Sequence, residues 1–321
     1  MKKFRNIFNK VNGREVLKQY KRAGVLGFAL IETLMLGFSH KSLEIVRLAV
    51  NNRILSKLRK EYGEFINEYK KRNTEKIFNL PRKKSNKVWV CWLQGMDYAP
   101  FIVKRCYDSL KLYLKDRNIV LITENNYRDY ITFPSYIQDK IDNKVITKTH
   151  FSDLLRLELL IKYGGSWLDA TILCTSDNIP NYILNSNLFV FQCLKPGKDG
   201  HCTSISSWLM TACTNNPILL LTRELLYDYW KKYNFMKDYF LIHNFFQLAI
   251  ETYPEEWKKV IPFSNSVPHI LLLNLFEKYD EQWLNCIKNM TPFHKLSYKF
   301  SEDKLEKKDT FYTELIVKNS D

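Results

Sequence analysis

The first 87 residues contain no aspartate. Their acids are seven glutamates set against 22 Lys and Arg, so this stretch carries +15, which is the whole net charge of the chain. The remaining 27 basic and 27 acidic residues cancel. Glycine and proline are scarce, ten of each in 321 residues, which excludes collagen-like and low-complexity architectures. No CxxC pair occurs. The seven cysteines (Cys91, Cys106, Cys174, Cys193, Cys202, Cys213 and Cys286) are odd in number and scattered, which argues against a disulfide framework or a zinc knuckle and suits buried thiols in a reducing compartment. A long apolar run is missing too. Gly24–Phe38 is 15 residues long and contains Glu32, whereas a membrane span needs roughly 20 apolar residues. The run starts more than twenty residues in and no small-residue cleavage site follows, so it does not read as a signal peptide.

What is present is the composition of a folded α/β protein, 45% hydrophobic and 26% charged. From Lys41 to Tyr69, Leu43, Val46, Val50, Ile54 and Leu58 recur at three- and four-residue spacing, with Arg47, Arg53, Lys57, Arg59 and Lys60 mostly off that stripe. This predicts a basic amphipathic helix. Such a helix can lie on an anionic bilayer or pack on the main domain with a solvated basic face, and the two are compatible. Nucleic-acid binding ranks third, because no helix-turn-helix, RNP-like strand or zinc spacing accompanies the charge. Asn73–Lys87, polar and carrying Pro81, reads as a linker, dividing a helical segment (1–80) from a second domain (81–321).

Val88–Leu93 reads as a buried strand, Phe101–Leu114 as a helix with Ile102, Cys106, Leu110 and Tyr113 on one face, and Asn118–Thr123 as another strand. Strand, helix, strand at this spacing predicts a mostly parallel sheet, in which ligands bind beyond the carboxyl ends of the strands. Gln94, Gly95, Glu124, Asn125 and Asn126 are therefore candidate nucleotide contacts.

The densest chemistry is HFSDLLRLELLIKYGGSWLDATILCT, residues 150–175. Ser152 can cap a helix that Gly164 and Gly165 end, and Asp153 and Arg156, three apart, project together from its first turn. A surface ion pair is the bland reading of those two. The strand expected over 166–173 puts Trp167, Asp169 and Thr171 on one face. An aspartate in so apolar a strand costs free energy unless it is paired, hydrogen-bonded or metal-bound, which marks Asp169 as functional.

SDLLRLELLIKYGGSWLDATI resembles the core motif of the capsular polysaccharide synthesis glycosyltransferases, related to Och1-type mannosyltransferases and distantly to clostridial glucosylating toxins. CWLQGMDYAPFIVKRCYDSL resembles their nucleotide-binding strand and helix. NPILLLTRELLYDYW, DYFLIHNFF and FHKLSYKF resemble their later blocks, so the likeness spans most of the chain. It implies a GT-A fold with a Rossmann-like sheet and a retaining hexosyl transfer from a nucleotide sugar, UDP-linked by preference. The implied acceptor is a polyprenyl-diphosphate-linked oligosaccharide at the cytoplasmic face of a bacterial plasma membrane. By the same resemblance Asp153 and Arg156 hold donor-sugar hydroxyls, Asp169 contacts the ribose and metal region, and Trp92, Gln94 and Gly95 lie near base and ribose. His294 and Lys295 would close over the diphosphate. The family's usual Asp-x-Asp, which grips Mg²⁺ or Mn²⁺, is here Asp169-Ala170-Thr171. A hydroxyl is a poor ligand for a hard cation. Either Asp169 and His294 hold a loose ion, or cations such as Lys295 neutralise the leaving group.

Further on, Asn187–Cys193 reads as a strand and 194–207, with Gly197, Gly200 and His201, as a loop able to act as a lid. Ile218–Trp230 and Asp238–Ile250 read as helices. Asp238, Tyr239 and His243 are weak acceptor-side candidates, His243 more simply a satisfied histidine, while Tyr227, Tyr229 and Trp230 suit a core. The tail after Phe300 reads as a peripheral helix or frayed end. A catalytically silent, membrane-docked scaffold of the same fold is the alternative function.

Overall fold

The computed structural model describes residues 13–194 and 202–318. Three helices come first: Gly13–Arg22, Leu26–Leu36 and the 40-residue His40–Asn79. The last is capped by Ser39, whose hydroxyl accepts from the Ser42 amide. It runs on through residues 73–79, so only 80–86 connect it to the sheet. Polar side chains do not stop a helix whose inward position, Ile77, is buried.

A five-stranded sheet follows, β1 (Lys87–Cys91), β2 (Asn118–Ile122), β3 (Gly165–Asp169), β5 (Leu188–Gln192) and β6 (Ile205–Ala212), in the order β2-β1-β3-β6-β5. β1 pairs in parallel with β2 and β3, and β6 runs antiparallel to both β3 and β5. A second sheet pairs β4 (Ile172–Cys174) with β7 (Phe293–Lys295), antiparallel. The architecture is thus mixed α/β, with one reversed strand in a sheet otherwise running one way.

Side chains alternate across this sheet. Trp89, Trp167 and Met210 enter one buried cluster with the helices Lys148–Tyr163, Pro217–Lys232 and Leu241–Thr252. Val88, Val90, Leu168, Leu209, Phe189 and Phe191 enter another with the helix Phe101–Tyr113. Val46, Val50, Ile54, Leu55, Leu58 and Tyr62 belong to the first cluster. The apolar stripe of the long basic helix is therefore spent on the protein's own core, and the edge of Tyr62 meets Phe245 at 4.9 Å. The tail is packed rather than frayed: Phe311, Tyr312, Leu315 and Ile316 are buried in the second cluster.

The expected strand 166–173 is broken. β3 ends at Asp169, Ala170 and Thr171 turn, and β4 starts a new pairing with β7. Part of the expected lid loop, residues 195–201 with Gly197, Gly200 and His201, lies outside the described residues, and Ile205–Ser207 already belong to β6. Tyr229 and Trp230 are buried.

Candidate active site

The helix Lys148–Tyr163 is capped by Thr147, whose hydroxyl accepts from the His150 amide, and not by Ser152, whose hydroxyl turns back to the Thr149 carbonyl. Asp153 and Arg156 consequently sit deeper in the helix than its first turn. Gly164 (φ 67°) and Gly165 (φ 93°) reverse the chain into β3, and the Trp89 indole donates to the Gly164 carbonyl at 2.9 Å. A Cβ on Gly165 would stand 2.3 Å from the Lys87 carbonyl oxygen. That closeness lets β3 lie beside β1 and carries Asp169 to the carboxyl end of the parallel strands, on the face the helix covers.

There the charges converge. Asp169 Oδ1 accepts from the Trp167 indole at 3.0 Å and lies 3.5 Å from Arg156 Nη2, while its Oδ2 lies 3.7 Å from Lys295 Nζ. Arg156 Nη2 is also 3.4 Å from Asp153 Oδ1, its Nη1 donates to the Ser207 carbonyl at 2.5 Å, and its guanidinium sits over the Trp167 ring. Asp153 in turn accepts from His150 Nδ1 at 3.3 Å. The Trp230 indole, which can only donate, gives its proton to His150 Nε2 at 3.0 Å and so fixes the tautomer. Burial alone would raise the Asp153 carboxyl, but Arg156 and the His150 hydrogen bond outweigh it and hold the pKa below the usual carboxylate value.

The Asp153 and Arg156 side chains are 9% and 5% exposed, against 29% for that of Asp169. The pair assigned by resemblance to the donor-sugar hydroxyls is thus buried, and Asp169 and Lys295 are the charged groups of this constellation that reach solvent. Lys295 Nζ donates to Thr171 Oγ1 at 2.6 Å, so the hydroxyl at the expected second-acid position is held by an ammonium.

Around this centre, Cys91 is the β-sheet partner of Asp169. Trp92 stands edge-on to Tyr298 at 5.3 Å with its indole N–H unpartnered. Gln94 is exposed, and Gly95 (φ 80°) makes the turn after β1. The phenol of Tyr239, 56% exposed, is raised first by partial burial and then by the charges of Asp153 and Asp169, which puts it on the rim. Beyond β1 and β2 a cavity of about 360 Å³ is lined by Leu93, Glu124, Tyr127, Arg128 and Phe151 among others. Asn126 serves the backbone, accepting from the Thr123 amide and donating to the Leu121 carbonyl, and Asn125 is exposed.

The chain matches the family described as "Capsular polysaccharide synthesis protein" over residues 37–315. It belongs to that family. No curated protein sequence matches it. Among solved structures it is similar to one titled "PaToxG Glycosyltransferase", at 16% identity and a TM-score of 0.37, covering 83% of this chain and 97% of that one.

Two expected residues of this capsular polysaccharide synthesis family member lie elsewhere. His294 follows strand alternation to the face opposite Lys295, where it is fully buried, pairs its Nε2 with Thr175 Oγ1 at 3.0 Å and is pushed by burial to a pKa of about 4. It makes no contact with Asp169. Asp238 is buried as well, accepting from Asn244, Gln19 and the Phe240 amide, so it ties the first helix to the body rather than facing a ligand. His243 is closer to the chemistry. Its Nδ1 is buried without a partner, and burial, with opposing contributions from Asp153 and Arg156, lowers its pKa to about 4.

The side chains at Asp169 do not by themselves fit a divalent cation. One carboxylate is available, its oxygens already face Arg156, Lys295 and an indole N–H, and no group of three His, Cys, Asp or Glu able to hold a metal occurs among the described residues. A hard cation asks for several oxygen ligands.

The sequence reading missed His150, Tyr298 and His269. His269 donates from Nδ1 to the Asn265 carbonyl at 2.7 Å and feels the charge of Lys295. His150-x-x-Asp153-x-x-Arg156 is itself a one-face helical spacing and was the available signal for the first.

Proposed function

We propose that this protein is a GT-A-type, retaining glycosyltransferase. It moves a hexose from a nucleotide sugar, UDP-linked by preference, to a polyprenyl-diphosphate-linked oligosaccharide at the cytoplasmic membrane face in capsule synthesis. The observation that carries the reading is the chain of charges Trp230–His150–Asp153–Arg156–Asp169–Lys295, ending at the carboxyl end of the parallel strands. The cavity beyond β1 and β2 supports a nucleotide there, with Tyr127 and Phe151 offering aromatic surface to a base. Family membership supports the polysaccharide context.

The difficult step is expelling a nucleoside diphosphate from an oxocarbenium-like carbon, and fixed positive charge beside the leaving phosphate lowers that barrier. Lys295 supplies it, its ammonium tethered by Thr171. Asp169, hydrogen-bonded by one indole and flanked by two cations at 3.5 and 3.7 Å, is a poor nucleophile and keeps acceptor capacity for a sugar hydroxyl or ribose. Attack then comes from the face the diphosphate leaves. The acceptor oxygen bonds to the anomeric carbon as the carbon–phosphate-oxygen bond breaks, and the acceptor proton passes to the departing phosphate. This preserves the anomeric configuration.

A donor screen by mass spectrometry on the whole chain, with and without chelator, tests the reading. Turnover with one nucleotide sugar is expected, surviving chelation, and Asp169→Asn is expected to cost about a hundredfold or more in kcat at unchanged Tm. Turnover abolished by chelator would remove Lys295 from its assigned role. Donor-induced thermal stabilisation without turnover would favour the silent scaffold. Salt-sensitive nucleic-acid binding with neither would overturn the enzyme.

A further inference from the structure

The long amphipathic helix spends its apolar stripe internally, and the exposed apolar surface lies on its shorter neighbour. Leu30, Ile31, Leu34 and Met35 of the helix Leu26–Leu36 are 51%, 59%, 75% and 78% exposed, and their spacing puts them on one face. Ala29 on the inner side is buried. On the partner helix of the hairpin, Ile45 and Leu48 are exposed as well, at 47% and 39%. The segment that carries it is cationic. Between residues 13 and 60 ten Lys and Arg oppose three Glu, an excess of seven positive charges with the Lys18–Glu15 and Lys41–Glu44 pairs included, and among the described residues only Arg59 of the ten pairs with an acid from outside the segment, Glu251.

We propose that this hairpin tip seats in the interface of an anionic lipid bilayer, the helix Leu26–Leu36 lying in the membrane plane with Leu30, Ile31, Leu34 and Met35 among the acyl chains and Lys41 and Arg47 at the phosphates. Charge decides the occupant. A second copy of this chain docked face to face would set two cationic rims against each other, whereas an acidic lipid surface complements them. The helix cannot cross. Eleven residues span about 16 Å against a hydrocarbon core of about 30 Å, and among the described residues no helix is long and apolar enough to do so. An apolar face beneath a basic rim is the pattern of an in-plane interfacial helix. The proposal is independent of the reaction assigned above.

Co-sedimentation of the full chain with vesicles of equimolar phosphatidylglycerol and phosphatidylcholine tests it, pure phosphatidylcholine serving as control. The wild type is expected to sediment with the anionic vesicles and far less with the neutral ones. The pair Leu34→Glu and Met35→Glu is expected to weaken binding about tenfold or more, since two large apolar side chains leave the lipid. Lys41→Glu with Arg47→Glu is expected to flatten the salt dependence while apolar insertion persists. Circular dichroism of each variant checks folding. Three results would overturn the proposal: no wild-type binding, undiminished binding by the Leu34/Met35 variant (which moves the contact to another surface), or a wild-type dimer in sedimentation that the same variant turns into monomer.

Discussion

Asp169 announces itself because nothing else in SWLDATIL is charged, and a lone carboxylate in such a run needs partners. Its partners are less legible, because Lys295 arrives from more than a hundred residues away and the Trp230–His150 link joins two helices. Single-residue polarity likewise cannot separate an inward from an outward histidine on a three-residue strand, which is why His294 misleads. The buried imidazoles set a pH dependence. Burial disfavours the charged forms of His243 and His294 and pushes their pKa values from the ordinary 6.5 down to about 4. The unfolded chain therefore binds more protons than the folded one between those limits, and stability is full above about pH 6.5 and falls as pH drops toward 4. Thermal melts across that window are expected to show the loss, and His294→Gln is expected to make it shallower.

At the scale of elements, β1, β2, β3 and β5 of the main sheet and the helix carrying Asp153 were readable in the sequence, while their ends were not and β6 was not read as a strand at all. Ser152 looks like a cap because it precedes an acid and an apolar run, yet the helix starts earlier because Thr147 offers the same chemistry one turn upstream. β3 and β4 read as one strand because the apolar pattern runs through a turn whose Ala170 and Thr171 are themselves buried. The Gly164–Gly165 reversal was legible as a helix end, but not as the place where two strands meet. Gly165→Ala must combine φ 93° with a Cβ 2.3 Å from a backbone oxygen, so β3 has to shift. That substitution is expected to cost several degrees of Tm and, by displacing Asp169, to lower kcat further than the stability loss explains. A melt and a kcat measured well below Tm separate the two effects.

For the whole molecule, the charge partition was plain in the sequence, whereas the packing of the basic segment into the core of the rest was not. Val46 to Tyr62 share one core with the helix Lys148–Tyr163, because a stripe that could meet lipid meets Phe245 and its neighbours instead. Deleting residues 1–70 strips seven buried side chains larger than alanine from that core, Val25 and the six from Val46 to Tyr62. At about 1.5–3 kcal/mol each, their loss rivals a typical domain's total stability of about 5–15 kcal/mol. Such a truncation is expected to aggregate on expression, as size exclusion would report, so point substitutions are the sound probe of the hairpin.

The 40-residue helix links these scales. At about 1.5 Å per residue it extends roughly 60 Å, with the apolar patch beside its first turns and its last turn anchored through Ile77. Buried against the body from Val46 to Ile77, the rod cannot swing, so mooring the neighbouring short helix would fix the tilt of the whole molecule, and with it the direction in which the rim at Asp169 opens.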